Sequence, residues 1–146
     1  MTTNLTPEDK WELFGDFDPG AHAEEARERW GDTEAYRQSA HRTANHTKQD
    51  WAAIKAEAAA NVAAFTAAFD SGVPAGDPRA MDLAEAHRRH IGRWFYDCPA
   101  EMHRGLGELY VTDPRFTAGY DAEHPGLARY VRDAIHANAD RQQNKP

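Results

Sequence analysis

An apolar stripe with helical spacing constrains the fold of this chain more than any other feature. Its members follow one another at steps of three or four residues, which places them on one face of an α-helix. They are Trp51, Ile54, Ala58, Val62, Phe65 and Phe69. Thr47 and Asp50 form a capping box at the start, with Asp in place of the usual Glu, and Gly72 stands where a C-terminal cap is expected. The sequence therefore predicts one long amphipathic helix between Thr47 and Gly72.

Helix signals dominate the remainder of the chain, whereas strand-like alternation is nearly absent. Asp77 and Pro78 mark the start of a second long helix. Its predicted inner stripe consists of Met81, Ala84, His87, Ile91 and Trp94. Pro99 opens the next helix, where the residues expected to face inward are Met102, Leu106 and Leu109.

The C-terminal part is predicted to contain a turn and a final helix. The turn begins at Thr112 and surrounds Phe116, and the helix runs from about Pro125 to about Asn138. The inward-facing residues of this helix are expected to be Leu127, Val131, Ala134 and Ile135. The polar tail RQQNKP, residues 141–146, is expected to be frayed.

The first 46 residues carry weaker helix signals. Helices as short and polar as these are marginal in water on their own. Three short helices are predicted here. The first begins at Pro7, the second runs from Ala21 to Trp30, and the third begins after the N-cap Asp32 and contains Tyr36. We therefore predict a single all-α domain over residues 1–146, in which 1–46 form a mobile lid and 47–140 a helical core.

Composition excludes several classes of function. The 146 residues carry a formal net charge of -7, which argues against a sequence-independent hold on nucleic acid. No apolar run approaches the roughly 20 residues that a membrane helix needs, and the N-terminus lacks the layout of a secretory signal. The lone Cys98 excludes an internal disulfide and fits a reducing compartment. These observations predict a cytoplasmic protein with neither a nucleic-acid nor a membrane partner.

Eight histidines raise the question of a metal or haem site. His87 and His90 stand three residues apart on one predicted helix, but no Glu or Cys completes a ligand set with zinc spacing. His87 lies on the apolar stripe, where it is either a hydrogen-bonded core residue, which we favour, or an axial haem ligand. We therefore predict no metal site and no cofactor.

In the segment from Cys98 to Gly107, both the cysteine and the pair of glycines allow two interpretations. Cys98 precedes a helix, whose dipole lowers a thiol pKa, so it is either a nucleophile or electrophile trap or, as is commoner, a small buried residue. Gly105 and Gly107 serve either close packing of a neighbouring helix or the floor of a cleft. No pattern positions both a nucleophile and a base, so the sequence predicts no enzymatic activity.

Longer motifs in one fixed order resemble a known family. They are FGDFDP at 14–19, EEARERWGDTEAYRQS at 24–39, TKQDW at 47–51, EMHRGLGELYVTDPRF at 101–116 and PGLARYVRDAIHANA at 125–139. Over nearly its whole length the chain resembles the TipAS domain, the drug-recognition half of thiostrepton-induced regulators of the MerR class. The resemblance implies a globin-like α-helical domain without haem.

The resemblance also implies a ligand and a mode of binding. Relatives recognise thiopeptides and other large, flat aromatic natural products. Because neither a helix-turn-helix domain nor a long dimerisation helix is present, the chain resembles a stand-alone form that sequesters the antibiotic as a monomer. The family's covalent capture uses a cysteine at the position of Gly105, so we expect non-covalent binding here.

We predict that the ligand lies in a cleft between the helices 81–95 and 99–110, with the lid closing over it. The predicted contacts are Phe17, Trp30, Tyr36, His87, Trp94, Tyr96, Met102, His103, Leu106 and Tyr110, with Cys98 as a candidate thiol contact. Trp94 and Tyr96 belong to three consecutive aromatic residues, which cannot all face one side of a helix. Two alternatives stay open: the effector domain of a regulator whose DNA-binding part is encoded elsewhere, and a haem or metal sensor.

Overall fold

A computed structural model of the chain describes residues 31–122 and 124–143, which form six α-helices and contain no strand. The helices are α1 (Glu34–Ala44), α2 (Lys48–Asp70), α3 (Pro78–Trp94), α4 (Ala100–Thr112), α5 (Pro114–Asp121) and α6 (Leu127–Gln143). None of the helices in these residues is long and apolar enough to cross a membrane. The first two predicted helices, with Phe17 and Trp30, lie outside the described residues.

Capping residues define the helix ends as the sequence predicted. The Thr47 N–H donates to Asp50 Oδ2 at 2.9 Å, and the Asp50 N–H donates to Thr47 Oγ1 at 3.1 Å, which makes the capping box reciprocal. Asp77 Oδ1 accepts from the Arg79 N–H at 2.8 Å where α3 begins. Gly72 adopts a φ of 77° just after α2, a conformation that favours glycine.

Three helix boundaries differ from the predicted ones. Thr33, rather than Asp32, is the N-cap of α1, because the Thr33 hydroxyl accepts the N–H three residues later. The segment around Phe116 is helix α5 instead of a turn, since the preceding acid caps it and a proline occupies its first turn. Helix α6 continues past Asn138 to Gln143, so residues 141–143 of the tail expected to be frayed are helical.

The chain divides into two compact units, each with its own apolar cluster. The first unit comprises Met1–Ala58 and His90–Asp97, and the second comprises Ala59–Arg89 and Cys98–Pro146. The cluster of the first unit consists of Trp51 and Ile54, with Trp94 and Phe95 packed against them. The buried cluster of the second unit consists of Phe65, Ala80, Ala84, Tyr110, Leu127, Tyr130, Val131, Ala134 and Ile135.

The apolar stripe of α2 is buried at its ends but not in its middle. Trp51 and Phe65 lie in the two clusters, as predicted, whereas Ala58 is exposed and Val62 is 38% exposed. The helix passes from the first unit into the second directly after Ala58, and neither apolar cluster includes the stretch around Val62. The predicted helix is therefore present, but its apolar stripe is not buried along its whole length.

Helix α4 faces inward with different residues from those predicted. Its buried positions are His103, Gly107 and Tyr110, whereas Met102 is 39% exposed and Leu106 is half-buried. The apolar pattern misplaced this face by about a third of a turn, because a histidine and a glycine occupy two of the buried positions. The inward orientation expected for Met102 is wrong.

The two glycines of α4 have different roles. A Cβ atom added at Gly107 would lie 3.5 Å from Ile135 Cγ2 and 3.6 Å from Arg132 Cα, so this glycine allows α4 and α6 to approach closely. A Cβ atom at Gly105 would meet no described atom within 4 Å. Gly107 therefore serves helix packing, and Gly105 faces open space.

We expect substitutions at these glycines to separate helix propensity from packing. Gly107→Leu should lower the free energy of unfolding by roughly 1–3 kcal/mol, because its side chain must displace the α6 backbone. Gly107→Ala, whose Cβ fits at ordinary contact distance, should be neutral or stabilise by up to about 1 kcal/mol. Gly105→Leu is the matched control, and urea unfolding followed by circular dichroism is the measurement. A comparable loss at both positions would contradict the packing role of Gly107.

Candidate functional site

The predicted contact residues fall into both compact units. Tyr36, Trp94 and Tyr96 belong to the first unit, and all three are half-buried. The second unit holds His87, Cys98, Met102, His103, Leu106 and Tyr110. Phe17 and Trp30 lie outside the described residues.

The Trp94 ring is held in one orientation by a carboxylate. Its Nε1–H donates to Glu57 Oε1 at 2.9 Å, and His90 Nδ1 donates to the same oxygen at 3.0 Å. The hydrogen bond from Trp94 is the main cause that lowers the pKa of Glu57, and the bond from His90 adds to it. The guanidinium of Arg93 lies over the indole, 4.8 Å from its centroid. Trp94 therefore presents a fixed ring whose N–H is already satisfied.

A histidine holds Trp94 through its backbone. His46 Nε2 donates to the Trp94 carbonyl oxygen at 2.7 Å, near the C-terminal end of α3. The His46 ring also lies edge-on to both Trp51 and Trp94, with centroid distances of 5.5 Å. A donor at the end of a helix satisfies a carbonyl that has no partner within the helix.

Helix α1 is tied to the same end of α3 by polar contacts. Arg42 donates to the Gly92 carbonyl oxygen at 2.7 Å and to Asp97 Oδ1 at 2.8 Å. The Asp97 N–H donates to Gln38 Oε1 at 2.8 Å. The hydrogen bond from Arg42 and its charge lower the pKa of Asp97. These contacts fix the segment that carries Trp94 and Tyr96.

Two histidines form a direct pair in the second unit. His87 Nδ1 and His103 Nε2 are 2.8 Å apart, and their rings stack with centroids separated by 5.0 Å. His103 is 1% exposed, and its pKa is lowered to about 3, mainly by burial and to a smaller extent by the nearby charges of His87 and Arg88. His103 is therefore neutral at pH 7, as expected of a hydrogen-bonded core histidine. Within the described ranges, no group of three or more His, Cys, Asp or Glu side chains could hold a metal ion.

A chain of aromatic rings extends from this pair toward solvent. The Tyr110 ring centroid lies 6.0 Å from His87, 5.6 Å from Phe116 and 5.3 Å from Tyr120. Phe116 is 39% exposed, so the chain ends at the surface. The sequence did not predict Phe116 and Tyr120 as site residues, because their helix was taken for a turn. Their four-residue spacing after an Asp-Pro cap is the signal that could have found them.

Glu85 is a buried carboxylate at the centre of a polar network. It accepts hydrogen bonds from Arg88 at 2.6 and 2.9 Å, from Arg89 at 2.9 Å, from Asn138 at 3.0 Å and from Gln142 at 3.2 Å. Burial by itself raises the pKa of Glu85, but the hydrogen bonds from Arg88, Asn138 and Arg89 outweigh it and hold the pKa at about 2. The network joins α3 to α6.

Cys98 lies beside this network and is protected from reaction. The thiol is 5% exposed, and burial is the main cause that raises its pKa to about 11, although Arg88 opposes the shift. Arg88 also donates to the Cys98 carbonyl oxygen at 2.9 Å. Burial outweighs the helix-dipole effect considered from the sequence. The structure supports the small buried residue and not the nucleophile.

A cavity of about 400 Å³ lies elsewhere in the second unit. Its lining residues are Asp82, Glu85, Ala86, Arg89, Arg141 and Gln142. Arg89 is paired with Glu85, and Arg141 donates to Asp82 at 2.9 Å. None of the predicted contact residues lines this cavity, and its opposite charges already pair with one another.

Comparison with known proteins identifies relatives of this chain. A sequence model described as the TipAS antibiotic-recognition domain matches residues 22–138. The chain is 57% identical over 141 residues to the HTH-type transcriptional activator TipA of Streptomyces lividans, an alignment that covers 97% of the chain and 56% of TipA. The chain thus spans little more than half the length of this relative.

Two solved structures resemble the chain. One, from a thiopeptide antibiotic multidrug resistance system of Streptomyces lividans, is nosiheptide in complex with TipAS; it is 57% identical, with a TM-score of 0.87 over 97% of this chain and 99% of that chain. The other is the antibiotic-binding domain of a TipA-class multidrug resistance transcriptional regulator, 54% identical, with a TM-score of 0.57 over 61% of this chain and 95% of that chain. The first match confirms the predicted all-α, globin-like fold class.

We expect Cys98 to resist thiol reagents in the folded protein. A pKa of about 11 instead of 9.0 reduces the thiolate fraction by about a hundredfold at neutral pH, and burial also blocks access. Ellman's reagent should label no thiol in the native protein at pH 8 and one per chain in guanidinium chloride. Rapid labelling of the native protein would contradict the buried state of Cys98.

We expect Glu85→Gln to destabilise the protein in a pH-dependent way. The folded-state pKa of about 2 lies below the usual glutamate value of 4.5, so the carboxylate stabilises the fold above pH 4.5 and loses this effect as pH falls toward 2. The variant should lose on the order of 3 kcal/mol at pH 7, and the difference from wild type should shrink below pH 4.5. The exposed Glu34→Gln is the control in urea unfolding. A loss that is equal at pH 3 and pH 7 would contradict this assignment.

Proposed function

The chain belongs to the family of TipAS antibiotic-recognition domains, and we propose that it binds and sequesters thiopeptide-like or other large polyaromatic antibiotics without a covalent bond. The observation that carries the proposal is its 57% identity to TipAS, whose structure in complex with nosiheptide matches 97% of this chain. In this proposal the protein confers resistance or senses the drug, and binding involves no chemical conversion of the ligand.

In the second unit, the proposed contacts are His87, Met102, His103, Leu106 and Tyr110. Met102 is exposed and Leu106 half-buried on one side of α4, where Gly105 leaves open space beside them. Apolar surface of Met102 and Leu106 that a bound ligand removes from water stabilises the complex by about 25 cal/mol per Å². His103 is buried, so in the proposal it acts through its hydrogen bond to His87.

In the first unit, the proposed contacts are Tyr36, Trp94 and Tyr96. Trp94 is the strongest candidate, because Glu57 and His46 hold it and its orientation costs little further entropy on binding. Stacked aromatic pairs are worth roughly 0.5–1.5 kcal/mol beyond their buried area, so several together support tight binding.

Non-covalent binding agrees with the state of the thiol in this chain. Cys98 is buried and its pKa is raised to about 11, so it is a poor nucleophile at neutral pH. The position of the family's capturing cysteine holds Gly105, which has no side chain to react. The proposal further includes a monomeric protein in the cytoplasm that binds no nucleic acid by itself.

A second function has its own support. TipA of Streptomyces lividans is a transcriptional activator, and this chain covers 56% of its length. A recognition domain of this kind also serves as the effector-binding part of a regulator whose DNA-binding part is supplied separately. In that case the antibiotic would change the association of this chain with a protein partner.

We expect nosiheptide to bind the purified protein, and we expect binding to depend on Met102 and Trp94. Met102→Ala and Trp94→Ala should each raise the Kd about tenfold, which corresponds to about 1.4 kcal/mol of lost apolar and stacking contact. Val62→Ala is the matched control, since Val62 is as exposed as Met102 and lies outside the proposed contacts. Isothermal titration calorimetry measures the Kd, and intact mass spectrometry should detect no adduct.

Two outcomes would contradict parts of this proposal. Failure of nosiheptide and a panel of polyaromatic antibiotics to bind would exclude sequestration, and a stoichiometric adduct would exclude the non-covalent mode. Size-exclusion chromatography of a host lysate, with and without nosiheptide, separates the two functions. A monomer unaffected by nosiheptide supports sequestration, whereas a complex that changes with nosiheptide supports the regulator.

A further inference from the structure

The face of Trp94 is occupied by a residue outside the predicted contacts. The Arg93 guanidinium carbon lies 4.8 Å from the centroid of the indole, a distance typical of a cation–π contact. Arg93 Nη1 is also 3.8 Å from Glu57 Oε2. A planar, charged group of this chain therefore covers one face of the Trp94 ring.

The geometry leaves no room for a guest between Arg93 and Trp94. Two stacked planar groups lie about 3.5–4 Å apart, so a ring inserted between guanidinium and indole needs a separation of about 7 Å. The observed distance is 4.8 Å. A guest ring can stack on this face only after Arg93 has moved away.

Arg93 can leave its place at little cost to the fold. Its side chain is 67% exposed, so the guanidinium returns to water without crossing packed protein. Exposed cation–π contacts are worth about 0.5–1 kcal/mol, and exposed ion pairs are worth a similar amount or less. Glu57 keeps the hydrogen bonds from Trp94 and His90 when Arg93 moves. The Trp94 indole therefore stays in place when Arg93 leaves its face and another planar group replaces it.

The surroundings determine which rings are suited to replace Arg93. The face of an indole carries negative quadrupole charge, and the Glu57 carboxylate lies at its edge, 2.9 Å from Nε1. When Arg93 moves, the His46 ring stays edge-on to the indole, and His90 keeps its hydrogen bond to Glu57. An electron-poor or cationic heteroaromatic ring compensates for the departed guanidinium, whereas an electron-rich ring does not.

We propose that the Arg93 side chain competes with the bound antibiotic for the face of Trp94. Electron-poor planar rings of the antibiotic displace it, so Arg93 limits the affinity and selects the type of ring that binds. This inference rests on the proposed function, because it concerns the same guests. It adds a residue that determines specificity without itself being a contact in the complex. In the free protein, the side chain of Arg93 occupies the position that a ring of the antibiotic takes in the complex.

Nosiheptide titrations of four proteins test this inference. They are the wild type, Arg93→Ala, Arg93→Lys and Arg79→Ala. Arg79 is an exposed arginine at the other end of α3, so its replacement makes the same charge change without touching Trp94. Arg93→Ala should bind about two- to fivefold more tightly than wild type, because the competing contact is gone. Arg93→Lys should lie between them, and Arg79→Ala should match wild type.

A spectroscopic signal locates the effect at Trp94. The indole N–H cross-peak of Trp94, assigned by its loss in Trp94→Phe, should shift when nosiheptide binds and should keep its hydrogen-bonded position in free Arg93→Ala. Unchanged or weaker binding by Arg93→Ala, with wild-type binding intact, would overturn the inference and leave the proposed function standing. A Trp94 cross-peak that does not shift in the complex would overturn both this inference and the proposed contact at Trp94, and would leave antibiotic binding itself standing. Absence of binding by all four proteins would overturn both.

Discussion

The buried carboxylate of Glu85 is the constraint on which the second unit depends. A charge in this position is stable only when its hydrogen-bond partners are all in place, since an unpaired buried charge costs several kcal/mol. Its partners lie on α3 and on α6, and Arg88 continues the network to the Cys98 carbonyl, just ahead of α4. The neutral forms of Cys98 and His103 follow from burial beside this ion pair. One ionised group thus aligns three segments of the second unit.

The sequence predicted helix ends better than helix faces. Capping depends on residues close in sequence, so the reciprocal contact of Thr47 and Asp50 could be read directly. The buried face of a helix depends on what packs against it. On α4 the apolar pattern favoured Met102, whereas packing selected His103 and Gly107, whose types give no hydrophobic signal. On α6, where the buried face is largely apolar, the predicted residues are buried.

The sequence proposed candidate contact residues, but it did not indicate the groups that hold them in place. Aromatic residues and the family resemblance pointed to Trp94 and Tyr110. The groups that fix Trp94 are distant in sequence, since Glu57 precedes it by 37 residues and His46 by 48. No local pattern relates such pairs, because Glu57 lies on α2 and His46 lies between α1 and α2. Phe116 was missed for a different reason, because its helix was taken for a turn.

The open space at Gly105 has a consequence for how the chemistry of capture can change. A Cβ atom added at this position meets no described atom within 4 Å outside the backbone of its own helix, and the backbone there has no positive φ that favours glycine. A thiol could therefore appear or disappear at residue 105 by a single substitution that the helix accepts. Reversible and irreversible trapping would then differ by one codon, with the scaffold unaffected. The durability of drug capture is in this sense free to evolve independently of folding.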